Sequence, residues 1–314
     1  MFINLVLISF NVNRYTRKKK QSRKRKRIST SQSKDPNHTK RKKQVQWLDK
    51  SKSFQSSYNT NLKQISSLWN KISKQQQDFV NSFTNGLSLI KNSDKCVQYE
   101  NESVSKFGMQ SLSPSKWITD EIVNMYCKLL ADRDSQLLKS HLHSNPNVFM
   151  HTHFYTLLKN RVSNDNYWER KQQVVEKNLF EVNKIFIPIN LNCNHWILVV
   201  VSMQLELIEG YDSMYTKPTR RSNTDIHIAM TTVKNFLERQ YEKQYNSSLS
   251  TSWRTATRSA GAVPFQENDT DCGVFMMAYM DMISVGDDLN FSQRNINDFR
   301  ARIKLSIINR NCLL

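Results

Sequence analysis

The spacing of apolar positions predicts three neighbouring strands near the middle of the chain. Lys184–Asn190 alternates apolar and other positions and is rich in β-branched residues, which is typical of a strand. Trp196–Ser202 is a continuous apolar run, as expected of a strand that is covered on both faces. Gln204–Tyr211 is predicted as the next strand. The three segments therefore predict a sheet whose middle strand is buried from both sides.

Helical spacing occurs on both sides of these strands along the chain. Lys116–Leu130 has one apolar face, and Thr119 or Asp120 can cap its start. Pro146–Leu158 predicts a short extended piece with a helical turn. Further helices are predicted at Trp168–Asn178, Asp225–Tyr245, Cys272–Ser284 and Ser292–Asn309. Helix, strands, helix, helix in this order indicates an α+β layered domain.

An apolar stripe between Tyr58 and Ile90 predicts another helix. The positions of the stripe recur in alternating steps of four and three, with Gln76 and Gly86 at the two that are not apolar, which gives a heptad-like face. This face could pack on a partner helix or on the body of the same protein, and the sequence leaves both open. Lys91–Pro114 is polar and irregular, which is typical of a linker.

The net charge of +19 is concentrated at one end of the chain. Residues 1–50 hold sixteen Lys/Arg and two Asp/Glu, a net charge of +14, which leaves +5 for the other 264 residues. The basic clusters Arg14–Arg27 and Lys40–Lys43 flank a polar spacer, a composition that predicts disorder. They suit a nuclear import signal read by an importin-type receptor, with weak nonspecific nucleic-acid contact as a by-product. A solvated tail without function is the alternative.

Cysteine usage and the longest apolar runs narrow the class of protein further. The five cysteines are scattered and include no C-x-x-C pair, which argues against a disulfide scaffold and a zinc finger and for a reducing compartment. No run reaches the length of a membrane span, so we expect no membrane partner. Met1–Phe10 is apolar but lacks a preceding basic residue and a cleavage site, so we expect no secretion signal. The expected location is the nucleus, including its envelope or pores, with a cytoplasmic pool.

The candidate chemistry centres on the stretch Pro264–Phe275, which reads PFQENDTDCGVF. An apolar run with helical spacing follows Cys272, so this cysteine is predicted at the start of a helix, where the dipole favours the thiolate. Gly273 would leave room for a backbone to approach the sulfur. Gln266 lies in the turn-rich loop upstream and can supply an amide donor. The stretch predicts a cysteine nucleophile with an oxyanion stabiliser, and a buried packing cysteine is the alternative.

A cysteine nucleophile needs a base and a group that orients the base. His195 stands directly before the apolar run WILVVV and is therefore predicted at the start of a strand. Asp212 comes seventeen residues later, where the next predicted strand ends. A hairpin of that length returns the chain beside its start, so a carboxylate near the imidazole is expected. A turn-forming role is the alternative for Asp212.

Two histidine pairs offer a competing interpretation. His141 with His143 and His151 with His153 both read H-x-H, which in a strand directs both rings to one side and can bind zinc. No third or fourth ligand with metal spacing follows. We therefore expect no metal and no cofactor.

The motifs in the last two hundred residues resemble those of one family. From about Ser111 to Leu314, the chain is similar to the catalytic domain of the Ulp1/sentrin-specific cysteine proteases, which cleave SUMO and related ubiquitin-like modifiers. The order of histidine, aspartate and cysteine is also that of the family. The matching pieces are Trp117–Asp120, Phe154-Tyr155 with Leu157, Lys184–Asn190, His195-Trp196, Tyr211–Ser213, the residues Pro264, Gln266, Asn268 and Asp271–Phe275, Phe291–Gln293, and Phe299-Arg300.

This resemblance implies a role for each residue of the candidate site. His195 would act first as general base and then as acid, and Asp212 would orient it. Cys272 would attack the carbonyl of the modifier's terminal glycine and form a thioester that water hydrolyses. The side chain of Gln266 and the backbone N–H of Cys272 would form the oxyanion hole. The implied fold is α+β, of the papain-like Ulp1 type, with a mixed central sheet flanked by helices and the nucleophile at a helix N-terminus.

The resemblance also implies how the substrate is held. Trp117 and Trp196 would clamp the diglycine tail of the modifier in a narrow tunnel, and Asp120 would face a basic residue of the modifier. Ordinary core packing is the alternative for both tryptophans. The implied partner is SUMO or a related ubiquitin-like protein together with its conjugates. We accordingly divide the chain into a disordered basic tail (1–43), a helical, coiled-coil-like segment (44–95), a linker (96–110) and a cysteine protease catalytic domain (111–314).

Some features depart from the family pattern and keep other functions open. Tyr167–Lys171 reproduces poorly the basic-aromatic segment of the family, and the sixty residues from Asp212 to Cys272 include an Asn/Ser/Thr-rich insertion near Tyr245–Ser252. A protease for a NEDD8-class modifier is the first alternative. An acyltransferase with the same residue order is disfavoured by the tryptophan pair. An inert nucleic-acid-binding or scaffold protein is disfavoured because all three residues of the triad are present.

Overall fold

The computed structural model describes residues 72–89, 91–142, 144–160, 178–214, 220–248, 253–258 and 261–312, with the backbone alone at 220–224. Several predictions lie outside these residues: the basic tail 1–43, the part of the apolar stripe before residue 72, the segment 167–171 and all but the last residue of the helix predicted over 168–178. Half of the Asn/Ser/Thr-rich insertion, residues 249–252, also lies outside them.

The described elements alternate between helices and strands. The helices are α1 (Lys74–Gly86), α2 (Lys106–Ser111), α3 (Asp120–Lys139), α4 (His153–Lys159), α5 (Arg220–Tyr245), α6 (Cys272–Val285) and α7 (Ile296–Asn309). The strands are β1 (Lys95–Tyr99), β2 (Glu102–Ser105), β3 (Val148–Phe149), β4 (Lys184–Leu191), β5 (His195–Ser202), β6 (Leu207–Tyr211) and β7 (Arg254–Arg258). The predicted strands β4, β5 and β6 and the predicted helices α3, α5, α6 and α7 are thereby confirmed in kind, and α3 runs beyond its predicted end.

A five-stranded mixed sheet forms the centre of the domain. Its order is β3-β4-β5-β6-β7, with β4, β5 and β6 antiparallel to their neighbours in this group and the two edge strands parallel to theirs. Strand β5 is the middle strand, and it is buried along almost its whole length. The predicted mixed sheet flanked by helices is therefore confirmed.

Helices cover both faces of this sheet because the residues of β5 alternate between two cores. Leu198 and Val200 lie in the core that α3, α6 and α7 complete. Ile197 and Val199 lie in the opposite core, which α4 and α5 complete. Since full burial of an aliphatic side chain contributes about 1.5–3 kcal/mol, this run fixes β5 rigidly between the two helical layers. A residue at either end of β5 is therefore held on a rigid element.

The described part of the apolar stripe packs on the body of the protein. Ser73 caps α1 in a capping box with Gln76, so the helix begins where the chain reaches the domain. Ile72 and Val80 then contact Leu305 on α7. Phe79, which belongs to the predicted apolar face, is instead exposed. Of the two open interpretations, residues 72–89 support packing on the body.

The segment 96–110, predicted as a linker, is folded, so that expectation was wrong. It contains the hairpin β1–β2 and the short helix α2. Val97, Val104 and Met109 are buried against α3 within the same core as α6. Its apolar residues alternate irregularly with polar ones, because the segment covers the core from one side and presents its other positions to solvent. The domain boundaries themselves stay a prediction.

Strand β7 is a second element that the sequence did not predict. Its residues Arg254–Arg258 are mostly polar, and it pairs in parallel with β6 at the edge of the sheet. None of the five residues of β7 is buried, so the strand has no apolar face that would produce an alternating pattern. No helix among the described residues is both long and apolar enough to span a membrane.

Candidate active site

Cys272 is the first residue of α6, as its sequence context predicts. The helix is buried along nearly its whole length, and Cys272 itself is only 4% exposed. Backbone N–H groups of Val274 and Phe275 donate to the carbonyl of Asp271, which closes the first turn. The N–H of Cys272, at the first position of the helix, has no acceptor within the helix. A sulfur and a backbone donor therefore lie together at the positive end of a helix dipole.

His195 and Asp212 lie side by side where two neighbouring strands of the central sheet begin and end. His195 opens β5, and Asp212 follows directly after β6, which pairs with β5 in antiparallel register. The Nε2 atom of His195 lies 2.8 Å from Oδ1 of Asp212. The same Asp212 oxygen accepts a hydrogen bond from the N–H of Met214 at 2.9 Å. Asp212 therefore has the turn-forming contact as well as the histidine contact.

The side chain of Cys272 also acts on the imidazole of His195, since it is one of the groups that raise the pKa of the ring. Because Nε2 is occupied by Asp212, the nitrogen that remains for the sulfur is Nδ1. Burial opposes the charge on the ring, but the hydrogen bond to Asp212 and the influence of Cys272 outweigh it and raise the pKa of His195 to about 9. The ring is therefore predominantly an imidazolium at neutral pH, bracketed by a carboxylate and a sulfur.

Gln266 is buried next to the strand end that carries Asp212. Its backbone N–H donates to the carbonyl of Ser213 at 2.8 Å, and its side-chain Oε1 accepts from the hydroxyl of Ser213 at 2.7 Å. Its Nε2 donates to the backbone carbonyl of Asn268. Among the described residues, the side chain of Gln266 thus bonds to Ser213 and Asn268 rather than to Cys272.

The two tryptophans have different surroundings. Trp117 precedes α3 and is 55% exposed, whereas Trp196 is 4% exposed and belongs to the core. The indole N–H of Trp196 donates to the carbonyl of Ile118 at 3.0 Å, which ties the segment carrying Trp117 to β5. Asp120 is the first residue of α3 and is exposed. Its neighbour Thr119 is the N-cap residue, although its side chain makes no capping hydrogen bond.

Gly273 has a different local role from the one predicted. A Cβ atom at this position would lie 2.8 Å from Cβ of Ile118 and 3.0 Å from Cδ1 of Trp196. The space that the glycine leaves is therefore filled by these two side chains and not by a backbone next to the sulfur. The glycine lets α6 pack closely against Trp196 and the segment that carries Trp117.

A buried ion pair holds Asp271, the residue before Cys272, and sequence reasoning assigned this pair no role. Nη2 of Arg300, on α7, lies 2.5 Å from Oδ1 of Asp271, and both side chains are almost fully buried. The other oxygen of Asp271 accepts from Asn268 and from Gln293, each at 2.7 Å. Burial would raise the pKa of Asp271, but the hydrogen bonds from Arg300, Asn268 and Gln293 lower it below its usual value. Asp271 is therefore an ionised carboxylate with full hydrogen bonding.

The same guanidinium holds the segment before α3. Arg300 donates from Nη1 to the carbonyls of Ser111 at 3.0 Å and Ser113 at 3.1 Å, and from Nη2 to the carbonyl of Lys116 at 2.8 Å. The last of these residues directly precedes Trp117. One buried arginine therefore joins the approach to Trp117 with the start of the nucleophile helix. The signal in the sequence was an arginine inside the apolar spacing of α7, between Phe299 and Ile303.

A second buried ion pair lies further along α6. Arg133 of α3 pairs with Asp281 at 2.5 Å, and the hydroxyl of Tyr126 donates to the other oxygen of Asp281 at 2.5 Å. Arg133 also donates to the hydroxyl of Ser284 at 2.9 Å. These contacts fix α6 to α3. A buried ion pair therefore lies near each end of α6, that of Asp271 at its start and that of Asp281 near its end.

The histidine pairs gain no further ligands from the described residues. The rings of His151 and His153 stack with their centroids 5.1 Å apart. His143 lies outside the described residues. Within the part of the chain that is described, no three His, Cys, Asp or Glu side chains gather as they would around a metal ion.

A cysteine at a helix start, an imidazole at the start of the central strand and a carboxylate directly after the next strand form the arrangement expected of a cysteine peptidase. Residues 116–311 match the family described as "Ulp1 protease family, C-terminal catalytic domain". The chain belongs to the Ulp1 protease family and contains its C-terminal catalytic domain.

Individual relatives and solved structures agree with this family. The chain is 30% identical over 218 residues to ubiquitin-like-specific protease 1A of Arabidopsis thaliana, covering 68% of this chain and 41% of that protein. It is 28% identical over 211 residues to human sentrin-specific protease 2, covering 67% of this chain and 33% of that protein. The matches thus span about two fifths and one third of the length of these two relatives.

The fold is also that of solved Ulp1 domains. The yeast C-terminal Ulp1 protease domain, solved in complex with Smt3, the yeast orthologue of SUMO, superposes with a TM-score of 0.61 at 20% identity. That superposition covers 76% of this chain and 96% of the other. The catalytic domain of a Chaetomium thermophilum Ulp1-like SUMO protease gives a TM-score of 0.60 at 19% identity, covering 77% and 91%. The predicted papain-like α+β fold of the Ulp1 type is therefore confirmed.

Proposed function

We propose that this protein is a cysteine peptidase that cleaves after the C-terminal diglycine of SUMO, both from conjugates and from the precursor. The observation that carries the proposal is the position of His195, whose Nε2 lies 2.8 Å from Oδ1 of Asp212. Its neighbour Trp196 packs against Gly273, the residue after Cys272. The yeast domain of the same fold was solved with a SUMO orthologue, and the curated relatives are named for ubiquitin-like modifiers or sentrin. These names support SUMO as the substrate class.

The proposed reaction begins with an ion pair of thiolate and imidazolium. The sulfur of Cys272 attacks the carbonyl carbon of the terminal glycine, and the carbonyl electron pair moves onto oxygen. When the tetrahedral species collapses, the C–N bond breaks and the proton on Nδ1 of His195 passes to the leaving amine. The product of this half-reaction is a thioester between Cys272 and the modifier. The carboxylate of Asp212 keeps the ring oriented and stabilises its charge throughout.

Water then completes the reaction. The neutral His195 removes a proton from water, whose oxygen attacks the thioester carbon. The C–S bond breaks, the modifier leaves with a free carboxylate, and the thiolate of Cys272 is restored beside the imidazolium. In both steps the charge on the carbonyl oxygen is stabilised by the N–H of Cys272 and by Gln266. Losing one such donor typically costs about 10²–10³-fold in rate.

The substrate tail is proposed to pass between the tryptophans. Trp117 is exposed and joined through Ile118 to the buried Trp196, which supports a fixed wall on one side of Cys272. A narrow passage selects residues without side chains, and a diglycine meets this condition. The exposed Asp120 at the start of α3 is proposed to face a basic residue of the modifier.

The proposal is tested by cleavage of a SUMO precursor and a SUMO conjugate. Wild-type protein should release the modifier, and Cys272→Ser should bind it without release. Cys96→Ser serves as the matched control, since this half-buried cysteine lies on β1 outside the proposed site. Release by Cys272→Ser at the wild-type rate contradicts the proposal, and cleavage of a NEDD8 precursor alone would replace SUMO with that modifier.

We also propose that the basic clusters of residues 14–43 direct the protein to the nucleus through an importin-type receptor. The support is their charge and spacing in the sequence. Deletion of residues 14–43 should abolish nuclear accumulation and leave cleavage of a small substrate unchanged. Unchanged nuclear accumulation contradicts the import role. Weak nucleic-acid binding by the same residues should decrease steeply with salt.

A further inference from the structure

Ser213, the residue after Asp212, makes a buried hydrogen bond to Gln266 that has no assigned role so far. Ser213 is almost completely buried, and its hydroxyl donates to Oε1 of Gln266 at 2.7 Å. The carbonyl of the same serine accepts the backbone N–H of Gln266 at 2.8 Å. Met214 and Gln266 form a parallel bridge beside it. The strand end that holds the catalytic acid is therefore joined at several points to the loop that holds the amide donor.

The orientation of the Gln266 amide follows from the chemistry of its two partners. The backbone carbonyl of Asn268 can only accept, so it must face the NH₂ group of Gln266. The oxygen of the amide then faces Ser213, whose hydroxyl must act as the donor. Of the two N–H bonds on Nε2, one is taken by Asn268 and one is left. The anchors on either side of the amide fix the direction of this remaining N–H.

The anchor on the Asn268 side is itself rigid. Asn268 donates to the buried carboxylate of Asp271 at 2.7 Å, and its own Oδ1 accepts the N–H of Asp271 at 3.1 Å. Asp271 is in turn held by Arg300 and Gln293. The weaker constraint is therefore the other side of the amide, where a single hydroxyl holds Oε1.

We propose that Ser213 is a positioning residue, which holds the amide of Gln266 so that its free N–H is directed at the carbonyl oxygen of the substrate. This inference rests on the proposed function and deepens it. Without the hydroxyl, the buried Oε1 lacks a donor, and the amide can rotate about its remaining bond to Asn268. An amide that is correctly oriented for only part of the time stabilises the transition state less. It changes substrate binding little, because the oxyanion forms only during the reaction.

The test is a double-mutant cycle on the cleavage of a SUMO precursor, with kcat and KM measured separately. Ser213→Ala should lower kcat about tenfold, less than the loss expected for the amide itself, and leave KM within about twofold. In a Gln266→Ala background, the same substitution should have no further effect on kcat, because the group that Ser213 positions is gone. Thermal unfolding of each variant establishes the folded fraction at the assay temperature.

Two further variants make the result decisive. Ser202→Ala removes another buried serine hydroxyl from the same sheet. It lies at the far end of β5 from His195, about 23 Å away for seven residues of strand, and should keep wild-type kcat. If Ser213→Ala does not fold, Ser213→Cys fills the same space with a weaker donor and should lower kcat in the same sense.

Three outcomes have distinct meanings. The proposal is overturned if Ser213→Ala has the same kcat as Ser202→Ala. If Ser213→Ala does not fold, the same comparison is made with Ser213→Cys. An equal loss in the presence and absence of Gln266 also overturns it, because the serine would then act through the fold alone. Absence of cleavage by the wild-type protein refutes the proposed function itself and is thereby distinguished from failure of this inference.

Discussion

Replacement of Arg300 by methionine tests the buried support of the nucleophile most severely. The guanidinium is 1% exposed and pairs with Asp271 at 2.5 Å, so methionine leaves a buried carboxylate without its positive partner. Removing one member of a buried ion pair typically costs about 3–5 kcal/mol. The carbonyls of Ser111, Ser113 and Lys116 lose donors at the same time, which places the expected loss in the upper part of this range.

The assay is unfolding by heat and by denaturant, followed through the intrinsic tryptophan fluorescence. For a domain of this size, each 1 kcal/mol corresponds to a shift of about 2–4 °C in Tm, so Arg300→Met should lower Tm by about 10–15 °C. Arg294→Met is the matched control, since Arg294 is exposed in the turn that precedes α7, and it should change stability by less than about 0.5 kcal/mol. A loss below about 1 kcal/mol for Arg300→Met would refute the reasoning.

The same pair predicts a dependence on acid. The pKa of Asp271 is lowered in the folded state, so its contribution to stability is present above the unfolded value and is lost as the pH falls through the folded one. In wild-type protein the free energy of unfolding should therefore decrease below about pH 4. In Arg300→Met, which has lost the partner that lowers this pKa most, this part of the acid dependence should be weaker. An identical acid dependence in both proteins would contradict the assignment.

Three further predictions concern the site and its helix. Because the pKa of His195 is raised to about 9, kcat/KM on an isopeptide substrate should fall above about pH 9. Asp212→Asn should shift this alkaline decrease of the pH profile to lower pH. An unshifted decrease would indicate that another group titrates. Gly273→Ala should destabilise the protein by about 1–3 kcal/mol and lower its activity, because the added Cβ would overlap the side chains of Ile118 and Trp196. An unchanged Tm together with unchanged activity would contradict this packing. Tyr126→Phe removes the hydroxyl that donates to the buried carboxylate of Asp281 and should cost about 1–3 kcal/mol of stability in urea unfolding. The value of kcat should stay within twofold, and a large loss of kcat would show that Asp281 contributes to catalysis.

The sequence predicts elements well where one periodicity decides the structure. The run that forms β5 is apolar throughout because both of its faces are covered, and the helix after Cys272 is apolar all round for the same reason. His195 is the first residue of this strand, and Cys272 is the first residue of this helix. The contact between His195 and Asp212 also follows from sequence, because a hairpin of that length brings the two strand ends together.

Elements that cover a core from one side are harder to predict. The hairpin β1–β2 and the helix α2 bury only isolated residues such as Val97, Val104 and Met109, so no regular period marks the segment as folded. Strand β7 is polar because it lies at the edge of the sheet. In both cases the structure depends on a partner element that local periodicity does not reveal.

Buried polar contacts between distant segments are the part that sequence spacing does not reveal. Arg300 donates to a carbonyl 189 positions earlier in the chain, and Ser213 donates to a side chain 53 positions later. No local pattern distinguishes these residues from an exposed arginine or a turn serine. Only the position of Arg300 within an apolar face hints that its charge is buried and paired.

The central claim of the proposed function is that Cys272 is the nucleophile and that the diglycine tail of SUMO can reach it. The most direct measurement is covalent labelling of the full chain by SUMO, NEDD8 and ubiquitin that each carry a C-terminal electrophile, with the modified residue located by mass spectrometry. We predict one adduct with SUMO, on Cys272, and none after Cys272→Ser. Labelling of another cysteine by SUMO, or labelling of Cys272 by NEDD8 or ubiquitin without SUMO, would contradict the account.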